Sequence, residues 1–151
     1  MATLVEKITA PDVQPKVIED CLQLIESEVA GKRGLSGVAV KTGYKVIKAI
    51  KPGMIRDAVT GLLPEFATAL EPMYVASGAA DGGDGSGDKF ARHLNADANG
   101  AADLMLGVTD AKAARAKNKT LQKTYSRLRG SAQKHVSDAV PGLAKTLCKY
   151  C

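Results

Sequence analysis

The stretch Gly34–Phe66, GLSGVAVKTGYKVIKAIKPGMIRDAVTGLLPEF, decides the fold, because a helical pattern lies on each side of a Pro-Gly corner. From Val38 to Ile50, apolar side chains recur every third or fourth position, and lysines recur at the same spacing outside that arc. This periodicity is typical of an amphipathic helix with one face in a core and the other in solvent. Pro52 and Gly53 end the helix, since a proline disfavours helical backbone at the residue before it.

The segment after the corner predicts a second helix that Pro64 interrupts. This helix begins near Met54, and the proline removes the backbone hydrogen bond to the carbonyl of Thr60. We therefore expect a kink at Pro64 or a division into two short helices.

Apolar spacing predicts four further helices around this centre. Leucine, valine, isoleucine and alanine must form the core, because the chain holds only two Phe, four Tyr and no Trp. That composition favours helices over sheets. The sequence therefore predicts an all-α, single-domain helical bundle of about six helices over residues 1–151, two of them kinked at proline. The four further helices are expected at Asp12 to Gly31, from about Lys89, at Asp110 to Arg129 with Gly130 closing it, and from Ser131 with Pro141 inside.

Residues 77–88, SGAADGGDGSGD, predict a flexible linker by their glycine and aspartate content. An EF-hand loop ends in a glutamate that is absent here. A phosphate-binding loop needs lysine after its last glycine, whereas Gly87 is followed by Asp88. Neither calcium nor nucleotide binding is predicted for this segment.

Two segments around proline suggest an internal repeat. VTGLLPEFATAL at 59–70 and VSDAVPGLAKTL at 136–147 are identical at four of twelve positions. The match predicts two pseudo-symmetric three-helix repeats, 12–76 and 89–151, with proline-kinked third helices and the linker 77–88 between them. The alternative is a chance match between helices rich in leucine, alanine and valine.

The charge distribution predicts a basic helical face. The net charge is +5, and the segments Lys32 to Arg56 and Lys112 to Lys134 contain no acidic residue. If the two segments share a surface, it can bind anions. Nucleic acid is not favoured, because the aromatic residues on which single-stranded bases stack are missing. The alternative is a set of solvated lysines without a ligand. The candidate anion-binding residues are Lys41, Lys45, Lys48, Lys112, Lys119, Lys123 and Arg127.

Candidates for catalysis are few. His93 and His135 can each act as a general base near neutral pH, but no spacing connects either to a nucleophile or carboxylate. Cys148 and Cys151 match C-x-x-C, and without a second pair of ligands we interpret them as free thiols at a frayed terminus. The sequence therefore indicates no catalytic, cofactor-binding or metal-binding residue and leans away from an enzyme.

No apolar run has the length of a bilayer span or of a signal peptide, so we expect a cytoplasmic protein without a transmembrane segment.

Several strings are similar to those of a known family. They are GLSGVAVKTGYKVIKAIKPG at 34–53, GLLPEF at 61–66, ALEPMY at 69–74, VTDAKAARAKNK at 108–119 and KHVSDAVPGLA at 134–144. In them the chain resembles a family of small bacterial proteins of unassigned function. The resemblance implies a bacterial, cytoplasmic protein and transfers no catalytic or binding residue.

The leading functional hypothesis is a non-enzymatic helical interaction module that binds a second copy of itself or an acidic protein. The first alternative is an anionic-ligand binder that uses the lysine-rich face for a nucleic-acid backbone or a lipid headgroup. The second is a small-molecule or lipid carrier with an apolar pocket between helices. A closed core would exclude the carrier.

Overall fold

A computed structural model describes residues 2–151, and within that range the chain forms helices, turns and no strand. The predicted all-α single-domain bundle is confirmed, with seven helices in place of about six. The helices are α1 (Leu4–Ile8), α2 (Gln14–Gly31), α3 (Gly34–Lys48), α4 (Met54–Ala76), α5 (Ser86–Ala96), α6 (Ala98–Arg115) and α7 (Lys119–Cys148), with a 3₁₀ turn at Ala79–Asp81.

Two long helices organise the core. α7 packs against α2, α3, α5 and α6, and α4 packs against α1, α2 and α6. The rings of Tyr74 and Phe90 meet edge to face, with their centroids 5.2 Å apart. Burial of apolar side chains is the main stabilising contribution to such a bundle. The largest fully buried side chains are Leu4, Ile8, Val17, Leu70, Tyr74, Phe90, Leu94 and Val140.

Both ends of the chain are attached to this core. The Lys7 ammonium donates to the Tyr74 hydroxyl and, over 3.3 Å, to the carbonyl of Cys151. The Ser86 hydroxyl donates to the same carbonyl over 2.6 Å. Cys151 also packs against the core. The prediction of a frayed C-terminus is therefore wrong, because side chains from α1 and α5 hold the last residue.

Proline does not end either helix that contains it. α4 continues through Pro64 and α7 continues through Pro141. Of the two alternatives expected at Pro64, the division into two short helices is therefore wrong, and the kink stays a prediction. Leu63, Ala67 and Leu70 are buried on both sides of Pro64 and keep the apolar face of α4 in register. Thr60 is exposed, so water can satisfy the carbonyl that the proline leaves unpaired.

The helix bounds in the second half also differ from those predicted. Asp110 lies inside α6 and does not cap a helix, and α6 ends at Arg115. Asn118 caps α7 instead, since its side chain accepts from the backbone N–H three residues ahead over 2.9 Å. α7 then runs uninterrupted through Gly130, whose φ is not positive and which therefore does not have the conformation of a C-terminal glycine.

The glycine-rich segment 77–88 is more structured than a linker. It contains the 3₁₀ turn, and its last three residues form the first turn of α5. Ser86 is buried, and a Cβ atom placed on Gly87 would overlap the carbonyl oxygen of Cys148. The end of this segment is therefore part of the packed core.

The predicted internal repeat stays a prediction. At the offset of 77 residues, α2 corresponds to 91–108, a range that contains the break between α5 and α6. α7 alone covers most of the range that the repeat assigns to a basic helix and a proline-containing helix. A superposition of 54–71 on 131–148 would test the relation.

Candidate binding cavity

An elongated apolar cavity of about 320 Å³, partly open to solvent, lies between α2, α4, α6 and α7. Its closed end is formed by Ile8, Leu70 and Leu147, which are at most 2% exposed. Aliphatic side chains continue from there along all four helices. The walls are formed by Leu24, Ile25, Val29, Val59, Leu62, Leu63, Phe66, Ala67, Met105, Leu106, Val136, Ala139, Val140 and Leu143, with Val40 of α3.

The antiparallel packing of α2 and α7 gives the cavity its length. Asp20, near the start of α2, accepts from Lys149 over 3.3 Å, and Lys32, just after α2, lies 4.0 Å from Asp138. The lining residues of α2 and its C-cap run from Cys21 to Lys32, which is about 16 Å at 1.5 Å per residue. The cavity therefore extends along about three turns of α2.

Four lining residues carry polar side chains, and together they contribute almost only carbon atoms to the cavity surface. They define what we call the polar end and are Glu28, Lys32, Thr109 and His135. Lys32 lies 3.7 Å from Glu28 and 4.0 Å from Asp138, so its charge is already neutralised by carboxylates. Two carboxylates therefore lie beside one lysine, and no unpaired lysine or arginine lines the cavity.

His135 has no hydrogen-bond partner at this polar end. Both ring nitrogens are buried, and neither has a partner among the residues that the structure describes. Burial lowers the pKa of His135 below its ordinary value, and the positive charge of Lys32 lowers it further. The ring is therefore neutral at pH 7, with one nitrogen able to donate and the other to accept. A buried polar group without a partner destabilises a fold by about 1–3 kcal/mol.

Cys21 is a wall residue and not a nucleophile. Burial and, to a lesser extent, the nearby Asp20 carboxylate raise the pKa of its thiol to about 11. The thiol therefore stays protonated at neutral pH and behaves as a small apolar group. Within residues 2–151, His, Cys, Asp and Glu side chains form no group of three placed to hold a metal ion.

The predicted anion-binding residues lie on three helices. Lys41, Lys45 and Lys48 are on α3, and Lys48 lies over the Tyr44 ring at 5.7 Å from its centroid. Lys112 on α6 pairs with Glu65 of α4 at 2.8 Å, so it is not free for an external anion. The structure therefore separates Lys112 from the other candidates, and anion binding by these residues stays a prediction. The remaining members Lys119, Lys123 and Arg127 lie exposed on α7.

A polar cluster joins α6 to α7 at a second place. Asp110 accepts from the Tyr125 hydroxyl and from Arg129, whose Nε lies 2.8 Å from Oδ1. The hydrogen bond from Arg129 and then that from Tyr125 lower the pKa of the Asp110 carboxyl. Thr109 shares the Tyr125 hydroxyl at 2.8 Å. These groups satisfy one another, which indicates a connection between helices and not a reactive site.

Sequence reasoning had considered His135 only as a possible general base and had left the carrier hypothesis without residues. The apolar pattern places the lining side chains correctly on inward faces, but it does not reveal the space between them. None of the helices within residues 2–151 combines the length and apolar character needed to cross a bilayer.

Comparisons with known proteins agree with the resemblance. No curated protein and no solved structure matches the chain. A family model matches residues 4–151, which is nearly the whole of the 151-residue chain. The chain therefore belongs to the family of unknown function DUF6918.

Proposed function

We propose that the protein binds a small molecule with one aliphatic chain and an uncharged polar end in the cavity between α2, α4, α6 and α7. The observation that carries the proposal is an apolar space of about 320 Å³ between four helices, lined almost entirely by carbon atoms. Ligand pockets in proteins are mostly apolar with a few convergent polar groups and begin at about 300 Å³.

The energetics favour an occupant. An empty cavity destabilises a protein by about 24 cal/mol per Å³, so 320 Å³ sets an upper limit of about 8 kcal/mol for a fully closed space. Typical domains are stable by only about 5–15 kcal/mol. The opening to solvent reduces that figure, but water gains few hydrogen bonds against aliphatic walls. An alkyl chain would contact those walls along their length.

The charges around the cavity indicate which kind of polar group the ligand carries. Lys32 lies between the carboxylates of Glu28 and Asp138, and no cation is left over to pair with an anionic head. A hydroxyl or ester group carries no charge into this apolar space. A carboxylate would lose its hydration without a partner of opposite charge. The favoured ligand is therefore a long-chain alcohol or ester.

Calorimetric titration of straight-chain alcohols into protein refolded from urea tests this proposal. Affinity is expected to rise about fourfold per methylene, at about 0.8 kcal/mol each, until the chain outgrows the cavity. The corresponding carboxylate should bind more weakly than the alcohol of the same length. Equal affinity across the series, or tighter binding of carboxylates, would overturn the proposal.

Two variants locate the site. Ala139→Leu narrows the cavity and should abolish binding, whereas the same substitution at Ala30, exposed on α2 and outside the lining, should leave affinity unchanged. His135→Leu keeps that part of the wall apolar and should retain the dependence on chain length. If Ala30→Leu weakens binding as much as Ala139→Leu, the ligand binds elsewhere.

Other hypotheses remain beside this proposal as predictions. They are a bacterial and cytoplasmic protein, self-association or an acidic protein partner, an anion-binding lysine face and a function without catalysis or cofactor.

A further inference from the structure

The outer face of α3 presents large apolar side chains to solvent. Leu35 is 93% exposed, Val38 61% and Val46 37%. Their spacing of three and eight residues places them on one side of the helix. α3 packs against α7 at Gly43, where a Cβ atom would lie 2.7 Å from Leu128. The fold therefore does not use the exposed side for its own core.

Lysines without acidic partners border this apolar stripe. Lys41, Lys45 and Lys48 form no ion pair with any residue of the described chain. Two other lysines near α3 do have such partners, since Lys32 lies beside Glu28 and Lys51 lies 3.1 Å from Asp57. The positive charge on the outer face of α3 is therefore not neutralised within the protein.

We propose that the outer face of α3 docks on the surface of an anionic lipid bilayer. A helix that lies in a bilayer interface combines an apolar stripe with lysines beside it, and each part contributes separately to binding. The charge of the lysines matches anionic headgroups, and Leu35 and Val38 at the start of α3 are free to enter the acyl boundary. A nucleic-acid backbone would engage the lysines but would bury none of the apolar stripe.

This surface is separate from the cavity. Val40, the α3 residue in the cavity wall, lies on the packed side of the helix, and neither the apolar stripe nor the three lysines lines the cavity. Bilayer docking therefore does not depend on the proposed ligand, and either proposal can fail without the other.

Co-sedimentation of the full chain with vesicles tests the inference. Wild type is expected to bind vesicles of mixed phosphatidylglycerol and phosphatidylcholine, and to bind pure phosphatidylcholine vesicles much more weakly. The double variant Leu35→Ala/Val38→Ala keeps the net charge and should lower partitioning at least tenfold. Lys45→Gln/Lys48→Gln should lower it about 25-fold, at about fivefold per lysine. Both sites are exposed, so neither variant should alter the helical circular dichroism.

A matched charge variant on another helix is the control. Lys119→Gln/Lys123→Gln removes the same charge from α7, where no large apolar side chain is exposed, and should reduce partitioning much less. Absence of binding to anionic vesicles, equal losses for the α3 and α7 lysine pairs, or binding unaffected by Leu35→Ala/Val38→Ala would each overturn the proposal. A wild-type dimer in solution that Leu35→Ala/Val38→Ala converts to a monomer would also overturn it, because the face would then belong to a second copy.

Discussion

Replacing Ala139 by leucine should stabilise the protein, because the added side chain enters the cavity and not a packed core. Ala139 lies on α7 in the cavity wall. Leucine adds three carbon atoms, and each buried methylene contributes about 0.8 kcal/mol. The helix propensities of alanine and leucine are close, so the substitution has little effect on α7 itself. The free energy of unfolding should therefore rise by about 2 kcal/mol.

Ala144 provides a control on the same helix. It is fully buried and lies outside the cavity wall, so leucine there must displace packed neighbours. Overpacking of this kind destabilises by about 1–3 kcal/mol. The same substitution five positions apart should thus change stability in opposite directions.

Urea denaturation followed by helical circular dichroism, on protein refolded without copurified ligand, measures both changes. For a chain of this length, 1 kcal/mol corresponds to about 2–4 °C in Tm, so Ala139→Leu should melt roughly 4–8 °C above wild type. A loss of stability at Ala139 comparable to that at Ala144 would show that the space is already filled. No change at Ala139 would show that the leucine remains in solvent, and either result would refute the cavity argument.

Two further predictions test the polar end and the helix bounds. His135→Leu should raise stability by about 1 kcal/mol, because it removes buried nitrogens that have no partner. Burial lowers the pKa of His135, so the unfolded chain binds the proton more readily and wild-type stability falls as pH drops below about 6.5. His135→Leu retains the nearby charges of Lys32, Lys134 and Asp138 and should lose only this component of the pH dependence. Denaturant titrations from pH 7.5 to 5.5 measure it. Identical stability profiles for wild type and His135→Leu would contradict the prediction. Gly87→Ala should lower the free energy of unfolding by about 1–3 kcal/mol through overlap with Cys148, whereas Gly130→Ala, with open space around it inside α7, should raise it by up to about 1 kcal/mol. Destabilisation by Gly130→Ala would indicate that α7 ends where the sequence pattern had predicted.

The first half of the chain could be predicted well because local signals and tertiary packing agree there. The corner at Pro52 and Gly53 separates α3 from α4, and Gly31 closes α2, as the pattern indicated. Val46 is an exception, since it was expected on the buried arc and is 37% exposed. Fewer apolar residues of α3 are buried than its pattern predicts, because α7 contacts the helix closely at Gly43 and covers only part of its surface.

The second half was predicted less well because a local signal was misassigned there. Asp110 and Gly130 have the residue types of helix caps, yet both lie inside helices. The Asp110 carboxylate accepts hydrogen bonds from Tyr125 and Arg129 of α7, and no spacing in the sequence predicts these contacts. A cap residue identifies a helix end only when no tertiary partner competes for its side chain, and sequence alone does not reveal that partner.

The cavity could not be predicted, because its walls are made of the same residue types as a filled core. Periodicity shows that Leu24, Leu62 and Leu143 face inward, but it does not show how far apart their helices lie. The helices set that separation where they touch, as at Gly142 of α7, where a Cβ atom would lie 2.5 Å from Leu24 of α2. Cores pack at about 0.74 of their volume, so a fixed separation must be filled by large side chains or left open. The chain has no tryptophan and two phenylalanines, and the cavity wall includes Ala67 and Ala139 where a larger residue would close the space. The scarcity of aromatic residues is therefore the one signal in the sequence that agrees with an unfilled interior. The position of the cavity follows only from the geometry of the helices.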